Sequence, residues 1–233
     1  MSFTRNPGRV AGLWYLLLTI VGPVRLIIIP SKLIVSGNAA ATAGNIAAHE
    51  RLFRFGIASE LISAMVLIFL TLAFYRLFRG VDPQLAALVV ILGGVMPALM
   101  YLVNVVNDLG ALTAAQGGGF LSAFDRPQQE ALAMLFVRLF DHTNTSAEIL
   151  WGAWLLPLGV VVYKSRFLPR FLGVWLIAAG LGYLLLCFTG VFAPSHQTQV
   201  FTYSQLAFFG EIALMLWLLI RGAKPPSPEA AQV

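Results

Sequence analysis

The sequence predicts an all-α polytopic membrane protein, a bundle of six transmembrane helices with both termini cytoplasmic. Three observations carry that expectation. Of 233 residues, 59% are hydrophobic and 11% charged, with a mean hydropathy of +0.83. A soluble domain carries about 25% charged residues, so this chain lacks the polar surface to cover a globule in water. Six stretches stay apolar for about the 20 residues that a bilayer demands. Lys and Arg gather at the ends of those stretches, which is a topology signal and not a nucleic-acid-binding patch, despite the net charge of +5.

The first span is Val10–Ile29, preceded by Arg5 and Arg9. It is longer than the ~7–15 residues of a signal-peptide core and no small-x-small cleavage site closes it, so it reads as a retained helix. The others are Leu52–Leu77, Gln84–Leu109, Ala147–Tyr163, Leu168–Thr189 and Val200–Ile220. With the N-terminus inside, the cytoplasmic ends hold Arg5, Arg9, Arg76, Arg79, Lys164, Arg166, Arg170, Arg221 and Lys224, nine of the fifteen bases. The other six, Arg25, Lys32, Arg51, Arg54, Arg126 and Arg138, fall in or near the outer ends. Residues 1–224 therefore read as a single transmembrane domain, and the polar, Pro-rich 225–233 as a disordered cytoplasmic tail.

The outer connections are the long ones. Pro30–Glu50 carries a turn signal at Ser36-Gly37-Asn38, followed by a small-residue run expected to be helical. Gly110–Arg126 contains Gly117-Gly118-Gly119, a flexible crossing. Joining Gln128–Asp141 to the fourth span would make a rod of ~54 Å at 1.5 Å per residue, longer than a bilayer. A break is therefore expected at His142-Thr143-Asn144, with a restart at the capping-box spacing Thr145-Ser146-Ala147-Glu148. The preceding segment, with Leu132, Leu135, Phe136 and Leu139 on one face, is expected to lie along the outer interface. Pro23, Pro97 and Pro157 each remove a helical hydrogen bond and predict kinks. The first and fifth helices both open R-x-x-G-x-W, at Arg9–Trp14 and Arg170–Trp175. Duplication and shared boundary chemistry explain this equally well.

An ionisable side chain inside a span costs roughly 2.5–3.5 kcal/mol near its centre, so such residues are the functional candidates. Glu60, Glu148 and Glu211 lie one in each outward-to-inward helix. Glu60 shares its helix face with Gly56 and Ser63, small residues suited to helix contact. With Arg25, Arg54, Asn104 and Asp108 they make a polar set of both signs toward the outer side. Glu60 and Glu211 are expected to point inward and share a cavity with Arg25 or Arg54. Glu148 has a second reading as the end of a capping box, and Arg25, Arg51 and Arg54 one as cations reaching the headgroups. His49, Asp141 and His142 supply imidazole and carboxylate of the kind zinc takes, but in no recognised metal spacing. The single cysteine, Cys187, permits no intrachain disulfide. No serine-nucleophile, phosphate-loop, dinucleotide or heme motif is present, so no cofactor is identifiable.

One segment organises the rest: Trp151-Gly152, Trp154-Leu155-Leu156-Pro157-Leu158-Gly159, Tyr163, Ser165, Phe167-Leu168-Pro169-Arg170 and Leu172-Gly173. Together with Arg9-x-x-Gly12-x-x-Tyr15, Leu52-Phe53-Arg54 and Glu211 through Trp217 to Gly222, it resembles the signature of a bacterial six-helix membrane family classed as a domain of unknown function. The resemblance covers nearly the whole chain and implies a multi-pass protein of the bacterial cytoplasmic membrane. It brings no activity with it, so no residue role is carried over. The residues leave three function classes. Binding or transport of a small solute, ion or lipid headgroup in an outward-opening polar cavity is favoured, because catalytic spacing is missing. An intramembrane enzyme acting on a lipid-like substrate through carboxylate or histidine chemistry, and an accessory subunit, are the alternatives. The bilayer is the one partner the sequence names, and it is silent on oligomeric state.

Overall fold

The computed structural model describes residues 6–223; the predicted tail, Arg5 and Lys224 lie outside them. Among the described residues every regular element is helical, and six helical stretches are long and apolar enough to cross a membrane. The first runs through α1 (Pro7–Pro23), a π-helical turn (Val24–Ile28) and α2 (Ile29–Leu33). A short α3 (Ala39–Ala48) leads into the second, α4 (Glu50–Phe78). The third joins α5 (Pro83–Val90), a second π turn (Ile91–Val95) and α6 (Met96–Gln116). The remaining three are built on α7 (Arg126–Ser165), α8 (Arg170–Phe192) and α9 (Gln197–Ile220).

Local chemistry accounts for the connections. Asn38 caps α3 by accepting from the Ala41 amide at 2.9 Å, and Gly37 supplies the left-handed turn before it (φ +73°). Gly117, Gly118 and Gly119 all take positive φ, as the sequence anticipates for the crossing between α6 and α7. Asp82 caps α5 through the Leu85 amide and also accepts from Lys164 Nζ at 2.9 Å. Those two donors hold the Asp82 carboxyl below the usual carboxylate range, the lysine contributing most.

Two of the three prolines are followed or preceded by π turns instead of simple kinks. In the first, the Ile29 amide reaches the Val24 carbonyl directly after Pro23; in the second, the Met96 amide reaches Ile91, just before Pro97.

The break expected at 142–144 is absent: α7 is one helix of 40 residues. At 1.5 Å per residue that is about 60 Å. Thr143 bonds back to the Leu139 carbonyl, and Asn144 accepts from Asn104, so the polar residues are satisfied with the helix intact. The segment before them continues the same helix and packs one face into the core. Ala133, Val137 and Phe140 are buried, Leu132 and Phe136 pack on the same core, and Leu135 and Leu139 are the exposed ones.

The chain divides into two compact units, one drawn from 1–18, 65–98 and 145–233, the other from 19–64 and 99–144. The first has an aromatic and leucine core in which Tyr15, Phe74 and Trp154 meet ring to ring. Its α7 and α8 touch backbone to backbone. A Cβ on Gly152 would lie 2.6 Å from the Gly180 carbonyl, and one on Gly159 would lie 2.7 Å from the Gly173 carbonyl. Three of the four glycines fall within the segment that organises the sequence, and Gly180 lies about two turns beyond it. The glycines are seven residues apart on each helix, the period that keeps one seam facing a partner. The second unit buries a smaller core around Ile29, Phe53, Val105, Ala111 and Val137.

Candidate functional site

In the second unit an apolar core surrounds a set of charged and amide side chains. Arg25 projects from the first π turn and is 1% exposed. Its Nε donates to Asp108 Oδ2 at 2.8 Å and its terminal nitrogen to Oδ1 at 2.6 Å, a two-point bond to the carboxylate. The guanidinium carbon lies 3.6 Å from the centre of the Phe140 ring and 5.6 Å from that of Phe53. Gly56 makes room for it, because a Cβ there would press on Ile29 Cγ1 and Arg25 Cδ. A buried charge pair tolerates desolvation only with geometry of this kind.

Beside the pair stands Glu60, with no exposed surface. Its Oε2 receives a long hydrogen bond from Asn104 Nδ2 (3.4 Å), and the same amide nitrogen donates to Asn144 Oδ1 at 2.9 Å. The two acceptors fix which way the Asn104 amide faces and turn its oxygen away from both. Three buried oxygens are then left without a hydrogen-bond partner: Glu60 Oε1, Asn104 Oδ1 and Ser63 Oγ, one turn along α4 from Glu60. Buried polar atoms are nearly always paired, so three without partners on α4 and α6 are an exception in this core.

The structure thus brings four of the predicted residues together: Arg25, Asp108, Glu60 and Asn104. It corrects the expected pairings. Arg25 pairs with Asp108 and not with either glutamate, and Arg54 is exposed, bonded to Glu50 one turn away at 2.6 Å. The cause is rotation about the helix axis: Arg54 and Glu60 are six residues apart on α4, about 600° of turn, and so face different ways. Glu211 belongs to the first unit, where it accepts from the Tyr15 hydroxyl at 2.5 Å and has Tyr183 as a second hydrogen-bonding partner. Sequence reasoning overlooked both tyrosines. A phenol at matching depth in an apolar span, as Tyr15 is, was the available signal. Glu148 also lies in the first unit. His49 bonds its own helix at Asn45, and no three His, Cys, Asp or Glu side chains gather to hold a metal among the described residues, so His49, Asp141 and His142 form no such set.

Comparison with known families matches residues 10–222 to the family described as Domain of unknown function (DUF4386). The chain belongs to that family. The DUF4386 match covers all six spans at least in large part, in agreement with the resemblance carried by the Trp151–Gly173 segment. An uncharacterized protein of Archaeoglobus fulgidus is 37% identical over 79 residues, 33% of this chain. The match covers 44% of that relative's length. No solved structure matches.

Proposed function

We propose that this multi-pass protein resides in a bacterial cytoplasmic membrane with both termini inside, and binds a small cation at the Glu60 cluster as a step in its transport or sensing. The partition of charge supports the orientation. Among the described residues, every base assigned to the cytoplasmic side falls in the stretches of the first unit, and every other base in those of the second. The observation that carries the binding reading is the buried Glu60 carboxylate with one oxygen partnerless, together with partnerless oxygens on Asn104 and Ser63. An unpaired carboxylate removed from water needs a neutralising charge, and Arg25 is already engaged by Asp108. All three free atoms are oxygens, the donor type that suits hard cations such as Na⁺ or a proton.

The test is the thermal stability of purified protein in detergent, measured in sodium against choline chloride and across pH. Wild type is expected to gain stability from sodium or from protons, and Glu60→Gln to remain folded while losing that response. A wild type indifferent to both, or a Glu60→Gln variant that responds like wild type, would falsify the reading.

A further inference from the structure

In the first unit α7, α8 and α9 leave a recess of about 230 Å³ lined by Glu148, Leu186, Gln197, Thr198 and Phe201. Its walls are of two kinds. The polar part comes from the Glu148 carboxylate, the Gln197 amide and the Thr198 hydroxyl, the apolar part from buried Leu186 and the half-exposed ring of Phe201. Glu148 Oε2 is buried without a hydrogen-bond partner, and none of the described cations pairs with this carboxylate. The polar wall is closely fitted. A Cβ on Gly190 would fall 2.5 Å from Thr145 Cγ2 and 2.8 Å from Gln197 Nε2, so only glycine lets the amide lie there.

The lining selects among cations. A carboxylate oxygen, the Gln197 carbonyl and the Thr198 hydroxyl give three acceptors, matching the three N–H bonds of a primary ammonium. Leu186 and Phe201 offer an apolar wall to a short carbon arm, and the ring face attracts the charge. A metal ion would make no use of that wall and wants more oxygens than three side chains give. A quaternary ammonium would leave the acceptors unmet. The volume is below the ~300–1,000 Å³ of pockets for drug-sized ligands, which suits a headgroup-sized guest. We propose that this recess binds a primary ammonium on a short apolar arm, carried either by the ethanolamine headgroup of a lipid or by a free alkylamine.

Melting of the full-length protein in detergent, with n-butylammonium, tetramethylammonium or sodium chloride at equal ionic strength, tests the proposal. Butylammonium is expected to stabilise wild type selectively, Glu148→Gln to abolish the effect, and Thr198→Val to weaken apparent affinity about tenfold, the loss of one hydrogen bond to a charged group. Native mass spectrometry from nanodiscs then separates the sources. Phosphatidylethanolamine that stays bound and is displaced by butylammonium supports the lipid, and a butylammonium response with no retained lipid supports the free amine. No butylammonium response in wild type, an equal response to sodium or tetramethylammonium, or an unchanged response in Glu148→Gln overturns the proposal. Should Glu148→Gln fail to fold, Gln197→Leu decides. Loss of the preference for primary over quaternary ammonium upholds the assignment, and a preserved preference overturns it.

Discussion

Glu60 and Glu211 are two glutamates in apolar helices with opposite surroundings. Glu211 has two phenols, Tyr15 and Tyr183, directed at its carboxylate. Glu60 has one long bond from an asparagine, one oxygen without a partner, and two further partnerless oxygens nearby. The difference teaches how to sort buried carboxylates. A side chain whose acceptors are met by the protein has a structural account already, and adding a guest there means breaking bonds. One whose acceptors are unmet has no such account, and the proposed cation site rests on that difference. Arg25 and Asp108, fully paired beside Glu60, would serve as the frame of the proposed site.

The largest expected effect comes from breaking the frame. Asp108→Asn leaves Arg25 buried without its counter-charge and is expected to destabilise the protein by about 3–5 kcal/mol. The double variant Arg25→Leu with Asp108→Leu should recover part of that, since neither half of the pair is left without the other. Melting curves for the three proteins check this. If the single variant melts like wild type, the pair is not the frame.

Next is Tyr15→Phe, which keeps the ring in its aromatic cluster and removes only the bond to Glu211. A hydrogen bond to a charged group is worth about 1.5–3 kcal/mol, so a clear loss of stability is expected, larger than that of Glu60→Gln. The reverse order in denaturation would break the contrast between the two glutamates.

The smallest effect belongs to Asp82→Asn, at a partly exposed site where a salt bridge is screened by water and salt. Because the folded state holds the Asp82 carboxyl below its ordinary range, its contribution is present above the unfolded value near 3.9 and fades as pH falls. A modest stability difference from wild type at neutral pH should therefore shrink on acidification and in high salt. A difference that grows toward acid pH would reverse the sign of this argument.

The fold was legible because the bilayer imposes length. Six apolar stretches of sufficient length, the Asn38 cap and the Gly117–Gly119 crossing all follow from composition and local chemistry. The unbroken α7 did not follow. Thr145 to Glu148 has the spacing of a helix start, and what local sequence does not show is that Asn144, at the expected break, finds a partner in Asn104, a residue far away in sequence. The site was half legible for a related reason. Apolar runs reveal how deep Glu60, Arg25 and Asp108 lie, and the burial of Glu60 beside Gly56 and Ser63 was expected. Which way each side chain turns depends on helix rotation, and the π turn after Pro23 alters that rotation just where Arg25 leaves the helix.

That turn also decides where the chain can change in length. A π turn holds one residue more than an α-helical turn closing the same gap. Removing one of Val24–Ile28 would therefore let the helix rewind as ordinary α with the residues beyond it facing nearly as before. Removing a residue from α1 instead would turn everything beyond it by about 100°, so that Ile29 and Leu33, both buried, would swing out of the core and Arg25 would lose its approach to Asp108. The turn at Ser36 and Gly37, exposed and open around Gly37, carries no such constraint. Natural gain or loss of residues in this part of the chain is therefore expected to collect at the π turn and at Ser36–Gly37 and to spare α1.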